Sequence, residues 1–201
     1  MLKAFAVCCL LIVVPRTAAA EWQFTPMIGA TFLGNTSIVD PELATDNVHR
    51  HFGGAVSLLG GGLFGVESVF VWTPGFFDDD DPPVQLVESS RSIAWMGNIV
   101  VTAPRRWTEY FLRPFVSGGI GWLRTSKLEQ TAIFAPSVDL VGFNIGGGAI
   151  GFFTPRTGVR FDVRYYSNLK PTDEGAVAFG DVRLRYMTAS VGIVLRRGFA
   201  F

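Results

Sequence analysis

The sequence contains few of the residue types on which redox, metal and nucleic-acid chemistry depend. Only two of its 201 residues are cysteine and two are histidine, while 17 basic residues balance 17 acidic ones. Cys8 and Cys9 both lie near the N-terminus, so the rest of the chain has neither a disulfide nor a thiolate metal site. Without a net positive charge the chain lacks the basic stripe that binds phosphate backbones, and we expect no nucleic-acid partner.

The first 20 residues have the organisation of an export signal. Lys3 supplies the positive end, residues 4–14 form an apolar run, and residues 18–20 are alanines that precede a cleavage site ahead of Glu21. The apolar run is too short to cross a bilayer as a helix, which needs about 20 residues. We predict a signal peptide at 1–20 and one domain at 21–201; a buried first helix is the alternative.

After Glu21 the sequence lacks long apolar runs, and its apolar residues recur at every second position. The first feature leaves no membrane-spanning helix in this part of the chain. The second is typical of strands with two different faces: Trp22 and Phe24, for example, alternate with Gln23 and Thr25. Eight such segments follow one another, the last at 184–201. The lengths of these segments are near the roughly 9–11 residues that a tilted membrane strand needs.

The composition of the two faces distinguishes a membrane barrel from a soluble β-sandwich, which shows the same alternation. A sandwich buries its bulky face and exposes a charged one. Here the non-aromatic face is mostly Gly, Ala, Ser, Thr and Asn, which suit the interior of a narrow barrel. Long polar segments at 35–50, 74–90, 125–139 and 168–181 alternate with short links at 60–62, 104–110 and 154–157. We therefore predict an all-β, eight-stranded antiparallel up-and-down transmembrane barrel with extracellular loops and periplasmic turns.

Four runs of the sequence resemble a known family. They are WMGNIVVTAP at 95–104, RPFVSGGIGWLR at 113–124, FNIGGGAIGFF at 143–153 and GVRFDVRYYSNL at 158–169. They are similar to the outer-membrane protein A-like, porin-like β-barrel domain, and the resemblance covers 21–201. It implies a place in the Gram-negative outer membrane, assembly by periplasmic chaperones and the barrel assembly machinery, and a C-terminal assembly signal at Phe199 and Phe201. Arg196, Arg197 and Gly198 are expected to interrupt the alternation just before this signal.

Charged residues on the inward face are the candidate functional residues. They are Glu67, Arg113, Arg160, Asp162 and Arg164. Charges in a lumen either plug it with ion pairs or line a conduit, and an eight-stranded barrel is about wide enough for its own side chains to fill. We predict a largely plugged barrel with a structural or surface-contact role and no enzymatic activity. A narrow channel for small solutes is the alternative.

Aromatic residues on the outward face are predicted to contact lipid. They are Trp22, Phe24, Phe32, Trp72, Trp95, Trp122 and Phe161. Outer-membrane lipids and lipopolysaccharide are the expected partners of a barrel that is itself a monomer. Ile120 should point to the middle of the bilayer, and the neighbouring inward Gly119 should accept serine if there is space.

Three further groups suggest chemistry that we consider and do not adopt. Asp78–Asp81 either bind a divalent cation or form a solvated acidic loop, and the spacing of a calcium loop is missing. His49 and His51 would share a face on a strand but have no third metal ligand in view. Some eight-stranded outer-membrane barrels are lipid A deacylases with a serine–histidine pair at H-x-S spacing. Here Tyr165 stands where that histidine would be, ahead of Ser167, Asp173 and Glu174. We expect no metal, cofactor or catalysis.

Overall fold

The computed structural model describes residues 21–36, 48–59, 62–76, 87–104, 112–129, 137–169 and 184–198. Within these ranges the chain forms the strands β1 (Glu21–Thr36), β2 (His49–Leu59), β3 (Phe64–Pro74), β4 (Val87–Thr102), β5 (Arg113–Glu129), β6 (Ser137–Phe152), β7 (Thr157–Asn168) and β8 (Leu184–Gly198). Each strand pairs antiparallel with the next, and β8 pairs with β1, so the sheet closes into a barrel. The predicted eight-stranded antiparallel barrel is confirmed.

Several predictions concern residues outside the described ranges. These are the signal peptide at 1–20, the acidic run Asp78–Asp81, the acids Asp173 and Glu174, and the terminal aromatics Phe199 and Phe201. In the described part of the chain, no helix is long and apolar enough to cross a membrane.

Bulky apolar side chains cover the outside of the barrel because successive residues of a strand point to opposite faces. Ile120, at the middle of β5, is 64% exposed, whereas Ser117 and Leu123 on the inward face are buried. The predicted aromatics have outward positions: Trp22, Phe24, Trp72, Trp95 and Phe161 are exposed, and Phe32 and Trp122 are half-buried. In contrast to a soluble domain, this barrel therefore exposes its bulky apolar side chains and buries the polar ones.

Glycine on the inward face lets neighbouring strands and side chains approach closely, and this corrects the expectation for Gly119. A Cβ atom added to Gly119 would lie 1.9 Å from the carbonyl oxygen of Gly97 and 2.4 Å from Oδ1 of Asn98. Serine therefore does not fit at this position. The outward Gly118 has space, because the nearest atom to its added Cβ is a backbone oxygen of Asn144 at 3.5 Å.

The inward and outward alternation of the last strand continues through Arg196 and Arg197, contrary to the interruption expected at these residues. Arg197 pairs with Trp22 and is exposed, while Arg196 pairs with Gln23 and is half-buried. The Arg196 guanidinium lies 3.2 Å from the Glu21 carboxylate and donates to the carbonyl oxygen of Pro155 at 2.7 Å. These contacts hold the arginine at the barrel end, so the strand stays regular.

Several predicted loop boundaries also differ from the structure. β5 extends to Glu129 and β6 begins at Ser137, so residues 125–129 and 137–139 of the predicted loop 125–139 belong to strands. β2 begins at His49, so His49 and Arg50, at the end of the predicted loop 35–50, belong to the sheet together with His51. The polar residues of these segments belong to strands that extend beyond the band of exposed apolar side chains on the outside of the barrel.

Candidate functional site in the barrel lumen

Strand β7 directs three charged side chains into the lumen. Arg160, Asp162 and Arg164 alternate with the outward Phe161 and Val163. Asp162 lies between the two arginines: its Oδ2 accepts from Nη2 of Arg160 at 2.6 Å, and its Oδ1 accepts from Nε of Arg164 at 2.7 Å. Two residues along a strand is the spacing that brings side chains onto one face, so β7 alone supplies both cations and one anion.

The second anion reaches this cluster from β3, on another part of the wall. Glu67 accepts from Nη2 of Arg164 at 2.6 Å and from Nη1 of Arg160. Its carboxylate also accepts from the Ser57 hydroxyl at 3.0 Å. The side chains of these four charged residues are at most 2% exposed. Two guanidinium groups thus face two carboxylates, which is the pairing that buried charges require. We call Glu67, Arg160, Asp162 and Arg164 the lumen ion cluster.

Asparagine side chains extend the cluster toward β4 and β6. Nδ2 of Asn98 donates to Oε1 of Glu67 at 3.4 Å, and Nδ2 of Asn144 donates to Oδ1 of Asn98 at 2.9 Å. Both asparagines are buried. The polar network therefore crosses the lumen from β7 to β3 and continues along the wall to β6.

The wall beside the ion cluster is made thin by glycine. Gly146 and Gly148 on β6 pair with Arg164 and Asp162 on β7. An added Cβ would lie 2.5 Å from Cγ of Arg164 at Gly146, and 1.8 Å from the carbonyl oxygen of Phe161 at Gly148. The glycines give the large charged side chains the space they occupy.

Arg113 was predicted to belong with these charges, and its contacts differ from that prediction. It is buried, but its Nε donates to the carbonyl oxygen of Ala103 at 2.7 Å and its Nη2 to that of Gly62 at 3.0 Å. Arg113 is the first residue of β5 and lies beside the short links at that end of the barrel. It therefore holds the turns together and is not an ion-pair partner of Glu67 or Asp162.

An apolar layer lies inside the barrel on the side of the short turns. Leu59, Val100, Phe115, Ile150 and Val194 form a buried cluster there. The Arg160 guanidinium lies 4.3 Å from the centre of the Phe115 ring. This contact joins the apolar layer to the ion cluster through a cation–π interaction.

An aromatic layer lies inside the barrel on the side of the long connections. The rings of Tyr166 and Tyr186 stack with centres 4.9 Å apart, and Phe76 packs its edge against Tyr186 at 5.3 Å. All three side chains are buried. Gly75, with a φ of 65°, makes the turn that returns Phe76 over the lumen, a conformation that favours glycine.

Of the two histidines, His51 is buried inside the barrel and His49 lies at its rim. Nδ1 of His51 lies 3.1 Å from Oγ1 of Thr31, and Nε2 lies 2.9 Å from Oγ of Ser190. The His49 ring stacks on Phe76 at 6.2 Å. Within the described ranges, no three His, Cys, Asp or Glu residues come together as a metal site. Gly29 leaves the room for the His51 ring, because an added Cβ would lie 2.7 Å from it.

The segment considered for lipid A hydrolysis lies on β7 with its residues facing different sides. Tyr165 faces outward with its ring 6.4 Å from that of Phe143, and Tyr166 belongs to the aromatic layer. The buried Ser167 hydroxyl donates to the carbonyl oxygen of Asn168 at 3.3 Å. Its contact is therefore with the backbone of its own strand.

Several lumen residues were not singled out from the sequence although their inward positions follow from the alternation. These are Asn98, Asn144, Tyr166 and Tyr186. A uniform period of two would have placed each of them inside. Which of them meet across the lumen depends on the stagger of the strands, and the alternation carries no information about that.

Comparisons with known proteins agree on the fold. No protein-family model and no curated protein sequence matches the chain. Among solved structures, it is similar to Ail, the attachment invasion locus protein of Yersinia pestis, in complex with the heparin analogue sucrose octasulfate. The identity is 15%, over 89% of this chain and 99% of that one, with a TM-score of 0.55.

Two further structures give similar values. Neisserial surface protein A is 13% identical, over 90% of this chain and 99% of that one, with a TM-score of 0.54. The N-terminal β-barrel domain of Pseudomonas aeruginosa OprF is 12% identical, over 88% and 97%, with a TM-score of 0.51. The chain thus has the fold of the small eight-stranded outer-membrane barrels.

Proposed function

We propose that this chain is an integral outer-membrane protein with a structural or surface-contact role, whose lumen is closed to steady ion flow. The observation that carries the proposal is the stack of three layers inside the barrel. The lumen ion cluster lies between the aromatic layer of Tyr166, Tyr186 and Phe76 and the apolar layer around Phe115. A passage for hydrated ions would have to disrupt all three layers.

A position in a membrane is supported by the outward face. Its exposed side chains are bulky and apolar along every strand, as a lipid environment requires. The exposed Trp95 has a polar indole N–H, and this group donates to the Ser68 hydroxyl at 2.9 Å on the neighbouring strand. Polar groups that face hydrocarbon need such internal partners because no water is available there.

The proposal includes the finer predictions made from the sequence. The chain is taken to be a monomer of the outer-membrane protein A-like, porin-like type, exported with a signal peptide and inserted by the barrel assembly machinery after escort by periplasmic chaperones. Lipids and lipopolysaccharide surround it. It is taken to be non-enzymatic, which is supported by the contact of the Ser167 hydroxyl with the Asn168 carbonyl.

The lumen part of the proposal is tested by conductance in planar bilayers with the refolded chain. We expect wild type to show no steady channels, because each charge of the lumen ion cluster has a partner of opposite sign. The matched variants are Asp162→Asn, inside the lumen, and Asp139→Asn, at an exposed ion pair with Arg124. Transient openings are expected only in the first. Large, stable wild-type channels that Asp162→Asn leaves unchanged would refute the closed lumen.

A narrow channel for small solutes is the second candidate, and one observation favours it. Buried side-chain atoms of Gln23, Thr25, Ser117 and Arg164 have no hydrogen-bond partner among the described residues. Buried polar groups are normally satisfied, and internal water is one way to do so. A channel of this kind would conduct small ions in the same bilayer measurement, with a conductance that the Asp139→Asn control leaves unchanged.

A further inference from the structure

A second polar group inside the barrel is centred on His51, beside the lumen ion cluster. The His51 side chain is buried, and its ring nitrogens lie within hydrogen-bond distance of the hydroxyl groups of Thr31 on β1 and Ser190 on β8. Oγ1 of Thr31 lies in turn 3.3 Å from Oγ1 of Thr73 on β3. A titratable imidazole is therefore held in a fixed orientation by hydroxyl groups from neighbouring strands.

His51 and the ion cluster lie on one row of cross-strand pairs. His51 pairs with Gly29, Gly29 with Ser190, and Ser190 with Asp162. Because Gly29 has no side chain, the His51 ring passes over it to reach Ser190. Directly opposite residues of antiparallel strands have Cβ atoms about 4.5–5.5 Å apart, so Ser190 and Asp162 are immediate neighbours. The Asp162 carboxylate interacts electrostatically with the His51 ring.

The hydroxyl groups around His51 fit both charge states of its ring. In a neutral imidazole one nitrogen donates and the other accepts, whereas both nitrogens of an imidazolium donate. A hydroxyl group can donate or accept, so Thr31 and Ser190 can accept from both N–H groups of a protonated His51. When Ser190 accepts from Nε2, its own O–H becomes available to donate to the Asp162 carboxylate on the next strand.

A proton on His51 would unbalance the lumen ion cluster. In that cluster two guanidinium groups face two carboxylates. The imidazolium adds a third cation beside Asp162, and both its charge and the hydrogen bond from Ser190 would compete with Arg160 and Arg164 for that carboxylate. An uncompensated buried charge is costly. Protonation therefore weakens the contacts that hold the two arginines across the lumen.

The other titratable and charged groups inside the barrel differ from His51 in the pH at which they ordinarily change charge. On the neighbouring strands they are Glu67, Arg160, Asp162, Arg164, Tyr166 and Tyr186, and on β2 itself His49. Free carboxylic acids titrate near pH 4, and free tyrosine and arginine at about pH 10 or above. Histidine ordinarily titrates at about pH 6.5. His49, which lies at the rim against Phe76, is therefore the natural control for His51.

We propose that His51 is a proton-binding site of the barrel lumen, and that Ser190 transmits its protonation to Asp162 and so loosens the lumen ion cluster in acid. The proposal deepens the proposed function and rests on it, because it assigns a regulator to the closed lumen. The geometry that carries it is the row in which His51, Ser190 and Asp162 follow one another across an intervening glycine.

The test is planar-bilayer conductance of the refolded full chain at about pH 7.5 and about pH 4, on either side of the ordinary titration of histidine. The variants are His51→Gln, which keeps a donor and an acceptor but cannot be protonated, and His49→Gln as the matched control on the same strand. We expect wild type and His49→Gln to open transiently about tenfold more often at the lower pH, which corresponds to about 1.4 kcal/mol. His51→Gln should stay closed at both.

Two further measurements separate the steps of the proposal. Side-chain ¹H–¹⁵N spectra of wild type report the protonation of His51 directly, and the openings should follow that titration. Ser190→Ala should leave His51 able to titrate but reduce the number of openings, because the hydroxyl group between the imidazole and Asp162 is lost. Heat-modifiable migration of each variant checks that the barrel has formed.

Several results would overturn the proposal. An equal acid response of wild type and His51→Gln would assign the response to the carboxylates, and its loss in His49→Gln alone would assign it to the rim. A full response of Ser190→Ala would exclude the link through the hydroxyl group. If His51→Gln fails to refold, a wild-type His51 that stays neutral down to about pH 4 in the spectra would overturn the proposal by itself. Steady wild-type channels at about pH 7.5 would instead refute the closed lumen, and so the proposed function.

Discussion

Replacing Asp162 by asparagine should reveal how strongly the lumen ion cluster stabilises the barrel. The carboxylate accepts hydrogen bonds from Arg160 at 2.6 and 3.1 Å and from Arg164 at 2.7 and 2.9 Å. Asparagine keeps the size of the side chain but removes its charge, and its amide N–H₂ would face only other donors. One buried positive charge is then left without compensation, because Glu67 is shared by both arginines.

The expected magnitude follows from this loss of pairing. Removal of one member of a buried ion pair costs about 3–5 kcal/mol. The exposed pair of Arg124 and Asp139 provides the comparison, since such pairs contribute about 0–1 kcal/mol. Asp162→Asn should therefore lower the free energy of unfolding by several kcal/mol more than Asp139→Asn does, although both variants lose one carboxylate.

The assay is urea unfolding of the chain in lipid vesicles, with the folded fraction measured from the heat-modifiable band and the free energy from linear extrapolation. A second variant, Asp162→Asn/Arg164→Gln, removes the uncompensated charge and should recover part of the loss. A difference of about 1 kcal/mol in the free energy of unfolding is measurable by this method. If Asp162→Asn and Asp139→Asn lower that free energy equally within this margin, the argument from buried charge is refuted.

Three further predictions concern the wall and the location. Ile120→Arg should lower the free energy of unfolding by about 2–4 kcal/mol if this outward position is at the bilayer midplane, and a negligible effect in vesicles would contradict the outward orientation. Gly119→Ala should cost about 1–3 kcal/mol by overpacking, whereas Gly118→Ala should be nearly neutral in the same urea experiment; equal effects would contradict the close approach of Gly97 to Gly119. The chain should be recovered in the outer-membrane fraction with heat-modifiable migration, and recovery as a soluble periplasmic protein would contradict the proposed location.

The alternation of the sequence was sufficient to predict the strands and which residues face inward. Strand periodicity is a local property: Phe161 and Val163 identify the outward face of β7, so Arg160, Asp162 and Arg164 must lie on the other. The same argument places Glu67 inside β3. It also placed Arg113 inside the barrel. The predicted direction of this side chain is correct, but its predicted contacts with the other lumen charges are not.

Contacts across the lumen could not be predicted because they depend on the height of each residue along the barrel axis. That height is determined by the stagger between strands, which is a property of the closed barrel. Arg113 begins its strand and therefore lies at the turns, while Glu67, the fourth residue of β3, reaches Arg160 and Arg164. Whether a larger side chain fits at position 119 depends in the same way on Gly97 and Asn98 of the neighbouring strand.

The ends of β8 illustrate a different limit of sequence patterns. Arg196 and Arg197 interrupt the apolar run, but the strand continues because backbone pairing with β1 is unaffected by side-chain type. The Arg196 guanidinium then forms an ion pair with Glu21 and donates a hydrogen bond to the Pro155 carbonyl oxygen. The end of a strand is thus determined by its partner strand as much as by its own residues.

The order of the charges along the chain has a consequence for assembly. Glu67 meets Arg160 and Arg164 across separations of 93 and 97 residues, so it has no cationic partner within the cluster until β7 has joined the growing sheet. A partial barrel of β1–β4 would carry this carboxylate on a face not yet closed to water. Lipid insertion of such an intermediate would bury the charge alone, at high cost. The late pairing therefore favours insertion of the barrel only when nearly all of its strands are in place, and a chain that ended before β7 should remain outside the bilayer.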